Sequence, residues 1–197
     1  MTSAGHKSGQ KSAHKGSNQI RIIGGEYRRR VLPFPDGDGL RPTPDRVRET
    51  LFNWLGQELT GHSVLDLFAG SGALGFEAAS RNAARVVMVE KSKPVHAALA
   101  ANKALLKAER IELVWADALS WLARSTEQFD LILLDPPYAS DLLAQALPLA
   151  AAHLTPDGIV YAECAGWSQL GAALTGWEVV REGKAGQVHH GLLRRAV

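Results

Sequence analysis

The segment Val64-Leu-Asp-Leu-Phe-Ala-Gly-Ser-Gly-Ala-Leu-Gly75 restricts the folds open to this chain more than any other. Its apolar start reads as a strand, Gly70 and Gly72 as a tight turn, and Ala73 onward as the opening of a helix. A strand that runs through such a turn into a helix is the building unit of a parallel, doubly wound sheet. The chain beyond Gly61 repeats that alternation, with strands predicted at 63–68, 85–90, 110–115, 129–134 and 158–164. Val86-Val-Met-Val89 and Leu131-Ile-Leu-Leu134 are continuously apolar, as in strands covered on both faces. Residues 177–181 and 188–193 predict a closing hairpin around Gly183–Gly186. The expected fold is α/β: a doubly wound, Rossmann-like sheet, mostly parallel, with a C-terminal antiparallel hairpin.

The chain of 197 residues suits one such domain (61–197) with a small appendage. Residues 1–18 are rich in Ser, Gly, Lys and His with almost no apolar content, and a disordered basic tail is expected there. Residues 19–60 read as an N-terminal extension. Two short strands, Ile20–Ile23 and Glu26–Leu32, flank Gly24-Gly25, and Pro33–Gly39 is a loop. A helix then follows, with Thr43 as its cap, Pro44 in its first position and Val47, Leu51, Trp54, Leu55 and Leu59 as its buried stripe.

Charge is unevenly placed. The first thirty residues hold seven Lys/Arg against Glu26, a net +6, so the remainder must carry −4 to reach the total of +2. A basic arm on an acidic body suits a polyanionic partner, because phosphate contacts supply most sequence-independent affinity. Arg28, Arg29 and Arg30, together with Arg41, Arg46 and Arg48 at the helix start, are the candidate contacts. No apolar run reaches the roughly 18 residues of a membrane span, and no secretory signal is evident. The single cysteine, Cys164, excludes an internal disulfide and a multi-cysteine zinc site. His189-His190 point to opposite faces of a strand and lack a spaced partner, so no metal is expected. These features describe a cytoplasmic enzyme.

Gly70-Ser-Gly72-Ala-Leu-Gly75 formally matches the dinucleotide fingerprint, but Asp66 on the preceding strand changes its meaning. A carboxylate there repels a pyrophosphate and attracts the ammonium of a methionine moiety. S-adenosylmethionine is therefore the predicted cofactor, with Phe68 packed against it and the backbone of Ala69, Gly70 and Gly72 in close approach. Glu90, ending the next strand, is placed to accept from both ribose hydroxyls. Asp117 is placed to accept from the adenine amine while the Ala118 amide donates to the ring. Asp135-Pro-Pro-Tyr138 follows a buried strand at its carboxyl end, where open α/β sheets bind ligands. An exocyclic amine has two hydrogens, one for Asp135 and one for the Pro136 carbonyl. Tyr138 supplies a stacking surface worth about 1–3 kcal/mol per base.

With these motifs in hand, the chain resembles the class I methyltransferases that carry [ND]PP[YF], and more closely the bacterial 16S rRNA guanine-N2 methyltransferases, the RsmD family. The resemblance rests on Ile20–Gly25, Arg41-Pro-Thr-Pro-Asp-Arg-Val-Arg-Glu-Thr-Leu-Phe-Asn-Trp54, Asp66–Gly75, Asp135–Tyr138 and Gly186-Gln-Val188. It implies methylation of one guanine of 16S rRNA within a small ribosomal subunit or its assembly intermediate, by an enzyme expected to act as a monomer. It also implies that the arginine-rich helix start contributes to cofactor or RNA contacts. The rival readings are a DNA amino-methyltransferase acting on adenine N6 or cytosine N4, which would need a target-recognition segment absent here, an NAD-dependent oxidoreductase, and a non-catalytic RNA-binding factor.

Overall fold

The computed structural model describes residues 18–37, 40, 42–138 and 140–196. Nearly all of the basic tail expected at 1–18, and the candidate Arg41, lie outside the described residues. A short antiparallel pair opens the fold, β1 (Asn18–Arg21) against β2 (Val31–Phe34). The second strand starts five residues later than its sequence suggests and takes in Pro33 and Phe34. The reason is a pair of tight turns between the strands, Arg28 N–H donating to Gly25 O at 3.2 Å and Arg30 N–H to Tyr27 O at 3.0 Å, closed at their base by Arg29 N–H to Ile22 O at 2.8 Å and Ile22 N–H to Arg30 O at 2.9 Å. Arg28, Arg29 and Arg30 therefore sit on an exposed turn rather than along a strand.

Helix α1 (Asp45–Trp54) follows. Thr43 does not cap it; Pro44 holds the cap position without a side-chain bond, and the Thr43 hydroxyl is used elsewhere. The buried face of α1 is Val47, Arg48, Leu51 and Phe52. The sequence suggests an Arg48 available to a phosphate, but the residue is buried and engaged within the protein.

Alternating strands and helices come next: β3 (Ser63–Asp66), α2 (Ala73–Ser80), β4 (Arg85–Glu90), α3 (Lys93–Leu106), β5 (Ile111–Trp115), α4 (Ala118–Leu122), β6 (Phe129–Leu134), α5 (Leu142–Ala150) and β7 (Leu154–Cys164). A 3-10 stretch (Trp167–Leu174) leads to the hairpin β8 (Trp177–Ala185) and β9 (Val188–Arg195). The seven-stranded sheet runs β5-β4-β3-β6-β7-β9-β8, parallel through β7, with β9 antiparallel between β7 and β8. β7 begins earlier than its turn residues Pro156–Gly158 predict. Asp130 accounts for this, accepting from Thr155 Oγ1 at 3.0 Å and Ser63 N–H at 2.8 Å across a register shift. Alternate strand residues feed the two faces: Val64, Leu131 and Tyr161 join α1, α2 and the N-terminal strands, while Leu65, Ile132 and Val160 pack against α5. Among the described residues no helix is long and apolar enough to cross a membrane.

The N-terminal segment is clamped to the sheet by polar groups of α2, a helix buried on every side. Glu77 is fully buried, and its carboxylate accepts from Ile23 and Gly24 N–H, Arg48 Nη1 and Arg81 Nε at 2.8–3.2 Å. Ser80 accepts from Tyr27 N–H at 2.9 Å. Gly25 adopts φ 72° with its Cα so close to α2 that a Cβ would overlap the Ser80 carbonyl, so the glycine pair is a docking requirement. Arg48 passes the clamp onward, donating to Arg21 O at 2.9 Å and Thr43 O at 3.3 Å.

Candidate active site

The chain leaves β3 toward β4 and returns to β6 on its other side, which opens a crevice at the carboxyl ends of β3 and β6. Asp66 closes β3 and Asp135 follows β6, so both face that crevice from adjacent parallel strands. The turn after β3 is tight: Gly72 N–H donates to Ala69 O at 2.7 Å, and Gly70 and Gly72 have φ of 49° and 81°. A Cβ on Gly72 would overlap Phe76 and Leu99, and one on Gly75 would approach Asp66 Oδ2 to 2.9 Å. Asp66 Oδ2 instead accepts the Gly75 N–H at 2.9 Å, at the first turn of α2. Burial, followed by the charge of Asp135, pushes the Asp66 pKa up to about 7.

Glu90, at the end of β4, is fixed by two backbone amides, Gly70 N–H on Oε2 at 3.1 Å and Ser92 N–H on Oε1 at 2.6 Å. Phe68 is half-buried in the second core cluster, and Ala69 is buried. Asp117 is exposed at the start of α4 and caps it, accepting Ser120 N–H at 2.9 Å, beside the buried Ala118. That capping bond, first among its causes, lowers the Asp117 pKa.

On the other wall, the Thr43 hydroxyl donates to Asp135 Oδ2 at 3.0 Å. Desolvation raises the Asp135 pKa although the Thr43 bond lowers it. Pro136 is buried and Tyr138 is 58% exposed, a flat ring open to a ligand. One strand further, Glu163 of β7 receives the Tyr161 hydroxyl on Oε1 at 2.7 Å. Desolvation and then the charge of Asp135 raise the Glu163 pKa. Beyond β7 lies an open groove of about 560 Å³, lined by Ala165–Gln169 on one side and Glu182, Gly183, Lys184 and His189 on the other.

Residues 20–194 match the family described as "Conserved hypothetical protein 95". Ribosomal RNA small subunit methyltransferase D of Escherichia coli is 43% identical over 188 residues, 94% of this chain and 95% of its own length. The chain belongs to that family and is a methyltransferase. A solved Escherichia coli protein, yhhF, matches at TM-score 0.80 and 42% identity, over 90% of this chain and 98% of that one. Precorrin-6y C5,15-methyltransferase from Geobacter metallireducens, 17% identical, shares the fold over 83% of this chain and 94% of its own at TM-score 0.64.

The residues of this methyltransferase fit S-adenosylmethionine. The glycine turn leaves a cradle that a side chain would fill, since a Cβ on Gly70 would come within 3.0 Å of Leu40. Buried Asp66 and half-buried Glu90 bring two carboxyl groups to that turn, hydrogen-bonded to the Gly75 and Gly70 amides. Bound there, S-adenosylmethionine supplies an electrophilic sulfonium methyl. Asp66, Phe68, Ala69, Gly70 and Gly72 belong to the end of β3 and its turn, with Glu90 joined to Gly70, and Asp135, Pro136 and Tyr138 belong to the turn after the adjacent β6. Arg28, Arg29, Arg30 and Arg46 are exposed on the N-terminal extension, outside both groups. Among the described residues no His/Cys/Asp/Glu group is arranged for a metal. His190 is buried and stacks on Trp54 at 5.5 Å, while His189 lines the groove.

Sequence reasoning does not single out Thr43, Tyr161 or Glu163 for the site. The pattern Thr-Pro-Asp supports a helix cap at Thr43 equally well. Glu163 carries a usable signal: a lone acid in the apolar run Ile159-Val-Tyr-Ala-Glu163, at the same end of the sheet as Glu90 and Asp135.

Proposed function

We propose that this methyltransferase transfers a methyl group from S-adenosylmethionine to the exocyclic N2 of one guanine of 16S rRNA in the small ribosomal subunit, acting as a cytoplasmic monomer. The observation that carries the reading is Asp135, held by Thr43 beside the Pro136 carbonyl and the open Tyr138 ring. The name of the Escherichia coli relative supports the ribosomal substrate.

In this reading the guanine is flipped from its loop and stacked on Tyr138. Asp135 and the Pro136 carbonyl take the two amine hydrogens and turn the nitrogen lone pair toward the methyl group. Positioning carries most of the acceleration, because sulfonium is a good leaving group. After transfer the nitrogen is cationic and acidic, and Asp135 accepts the proton. The deciding experiment offers labelled S-adenosylmethionine with unmodified small subunits, naked 16S rRNA and duplex DNA, and identifies the methylated nucleosides by mass. N2-methylguanosine from the subunits supports the proposal; methyladenine or methylcytosine from DNA alone replaces it.

Asp66 makes cofactor binding depend on pH. Its pKa is raised from 3.8 to about 7, so the ligand-free protein favours the neutral carboxyl, and this group's contribution to stability is lost as pH rises through that interval. A cationic cofactor favours the ionised form, so affinity should rise with pH around 7. Between pH ~6 and ~8 the gain from one such group is about tenfold. Calorimetric titration of the wild type should show this rise, and Asp66→Asn should bind more weakly with a flatter profile. An equally steep profile in the variant would assign the titration to another group.

Arg28, Arg29 and Arg30 are the proposed RNA contacts, exposed together on one turn. Changing all three to Glu should weaken binding to small subunits and lower the slope of log affinity against log salt, by roughly 0.7–0.9 for each phosphate no longer neutralised. Cofactor affinity should not change. Unaltered salt dependence would make the triplet a solvated turn.

A further inference from the structure

We infer that Glu163 selects the base, its carboxylate accepting the ring N1–H that lies beside the exocyclic amine of guanine. The inference rests on the proposed guanine reading and extends it to the choice of nucleobase. Leu134 and Ala162 are partners in the parallel pairing of β6 with β7, which places Asp135 and Glu163 side by side as the next residues of their strands. Asp135 Oδ2 already accepts from Thr43, which leaves Oδ1 as the oxygen turned to the amine. Guanine presents its N1–H parallel to one hydrogen of the N2 amine, and a second acceptor next to Asp135 is needed to satisfy it. Glu163 is that acceptor: half-buried, with Oε1 anchored by the Tyr161 hydroxyl at 2.7 Å, and two residues before Ala165, where the groove beyond β7 begins.

Adenine presents a bare acceptor nitrogen at the equivalent ring position. When Glu163 is ionised, the state that the Tyr161 hydroxyl bond on Oε1 favours against desolvation, that nitrogen meets a second acceptor and a desolvated charge is left without a donor. Sites built on such a hydrogen bond reject analogues that lack it by large factors, because the protein's own polar group is left unpaired. The Asp-Pro-Pro-Tyr turn grips an amine on any base. Glu163 decides which ring the amine belongs to.

The test compares small subunits assembled on 16S rRNA carrying guanine or 2-aminopurine at the methylated position. 2-Aminopurine keeps the 2-amino group and lacks the N1 hydrogen. The wild type should prefer guanine by about 100-fold or more in kcat/KM. Glu163→Gln, whose amide can donate to a bare nitrogen, should lose activity on guanine and narrow the preference to less than about tenfold. Tyr161→Phe, a milder change that only releases the carboxylate, should narrow it in the same direction by a smaller factor. Loss of the guanine 6-oxo group is common to every enzyme form, so the change in preference isolates the N1 contact. Equal use of both bases by the wild type would overturn the inference. So would a preference unchanged in both variants, or a Glu163→Gln enzyme inactive on both bases while binding cofactor normally. If that variant does not fold, the Tyr161→Phe preference decides. Failure of the wild type to methylate guanine at all would instead strike the proposed function, and this inference with it.

Discussion

Glu77→Ala is expected to lower the melting temperature by roughly 10 °C, from a loss of about 3–5 kcal/mol. The carboxylate is fully buried and faces two buried guanidiniums, Arg48 at 3.2 Å and Arg81 at 2.9 Å. Its removal leaves both cations with an incomplete set of partners, along with the N–H groups of Ile23 and Gly24. Uncompensated buried charge is among the few mechanisms that cost this much. Asp45→Ala supplies the contrast. Asp45 also pairs with Arg48, at 2.6 Å, but its side chain is 60% exposed, and its loss should cost less than about 1 kcal/mol. Thermal denaturation of the two variants separates the cases. Equal, small losses would show that the N-terminal segment is not held by Glu77.

Asp135→Ala should reduce methyl transfer by at least about 10³-fold, the upper part of the range for a group that both orients and accepts a proton. Cofactor affinity should change little. Two electrostatic contributions oppose: the Asp135 charge raises the Asp66 pKa, so its removal lets Asp66 ionise more readily for a cationic ligand, but the same removal takes away a negative charge that attracts that ligand. Single-turnover transfer and calorimetry on the same preparation read the two effects separately. Near-normal turnover would remove Asp135 from the reaction. Parallel loss of turnover and cofactor binding would make it a structural residue of the crevice.

These two sites are joined through the structure. Glu77 holds Arg48, Arg48 donates to the Thr43 carbonyl, and the Thr43 hydroxyl donates to Asp135. The N-terminal extension is thus tied to the wall proposed to hold the base, as well as being a bearer of arginines. Loss of the clamp should therefore appear in turnover as well as in stability.

The parallel strands are legible in the sequence because their signal is local. A strand buried on both faces must be apolar throughout, and the runs at 85–90 and 129–134 coincide with β4 and β6. The glycine turn and the Asp-Pro-Pro-Tyr turn are legible for the same reason, each depending on neighbours in the chain. What escapes depends on residues far apart in the chain. Arg48 looks like a free cation because its partner Glu77 is 29 residues away. Thr43 looks like a cap because its true partner, Asp135, is 92 residues away. The turn at Glu26–Arg30 looks like a strand because Ser80 and Glu77, which fix its approach, belong to another element.

By itself, then, the sequence determined the α/β alternation, the glycine turn after β3 and the Asp-Pro-Pro-Tyr turn after β6, since backbone preference and periodicity are written into adjacent residues. Only the tertiary structure decided which charges are spent inside the protein and which face a ligand. Burial and partnership set the state of a carboxylate, and both arise when separate strands and helices are brought together.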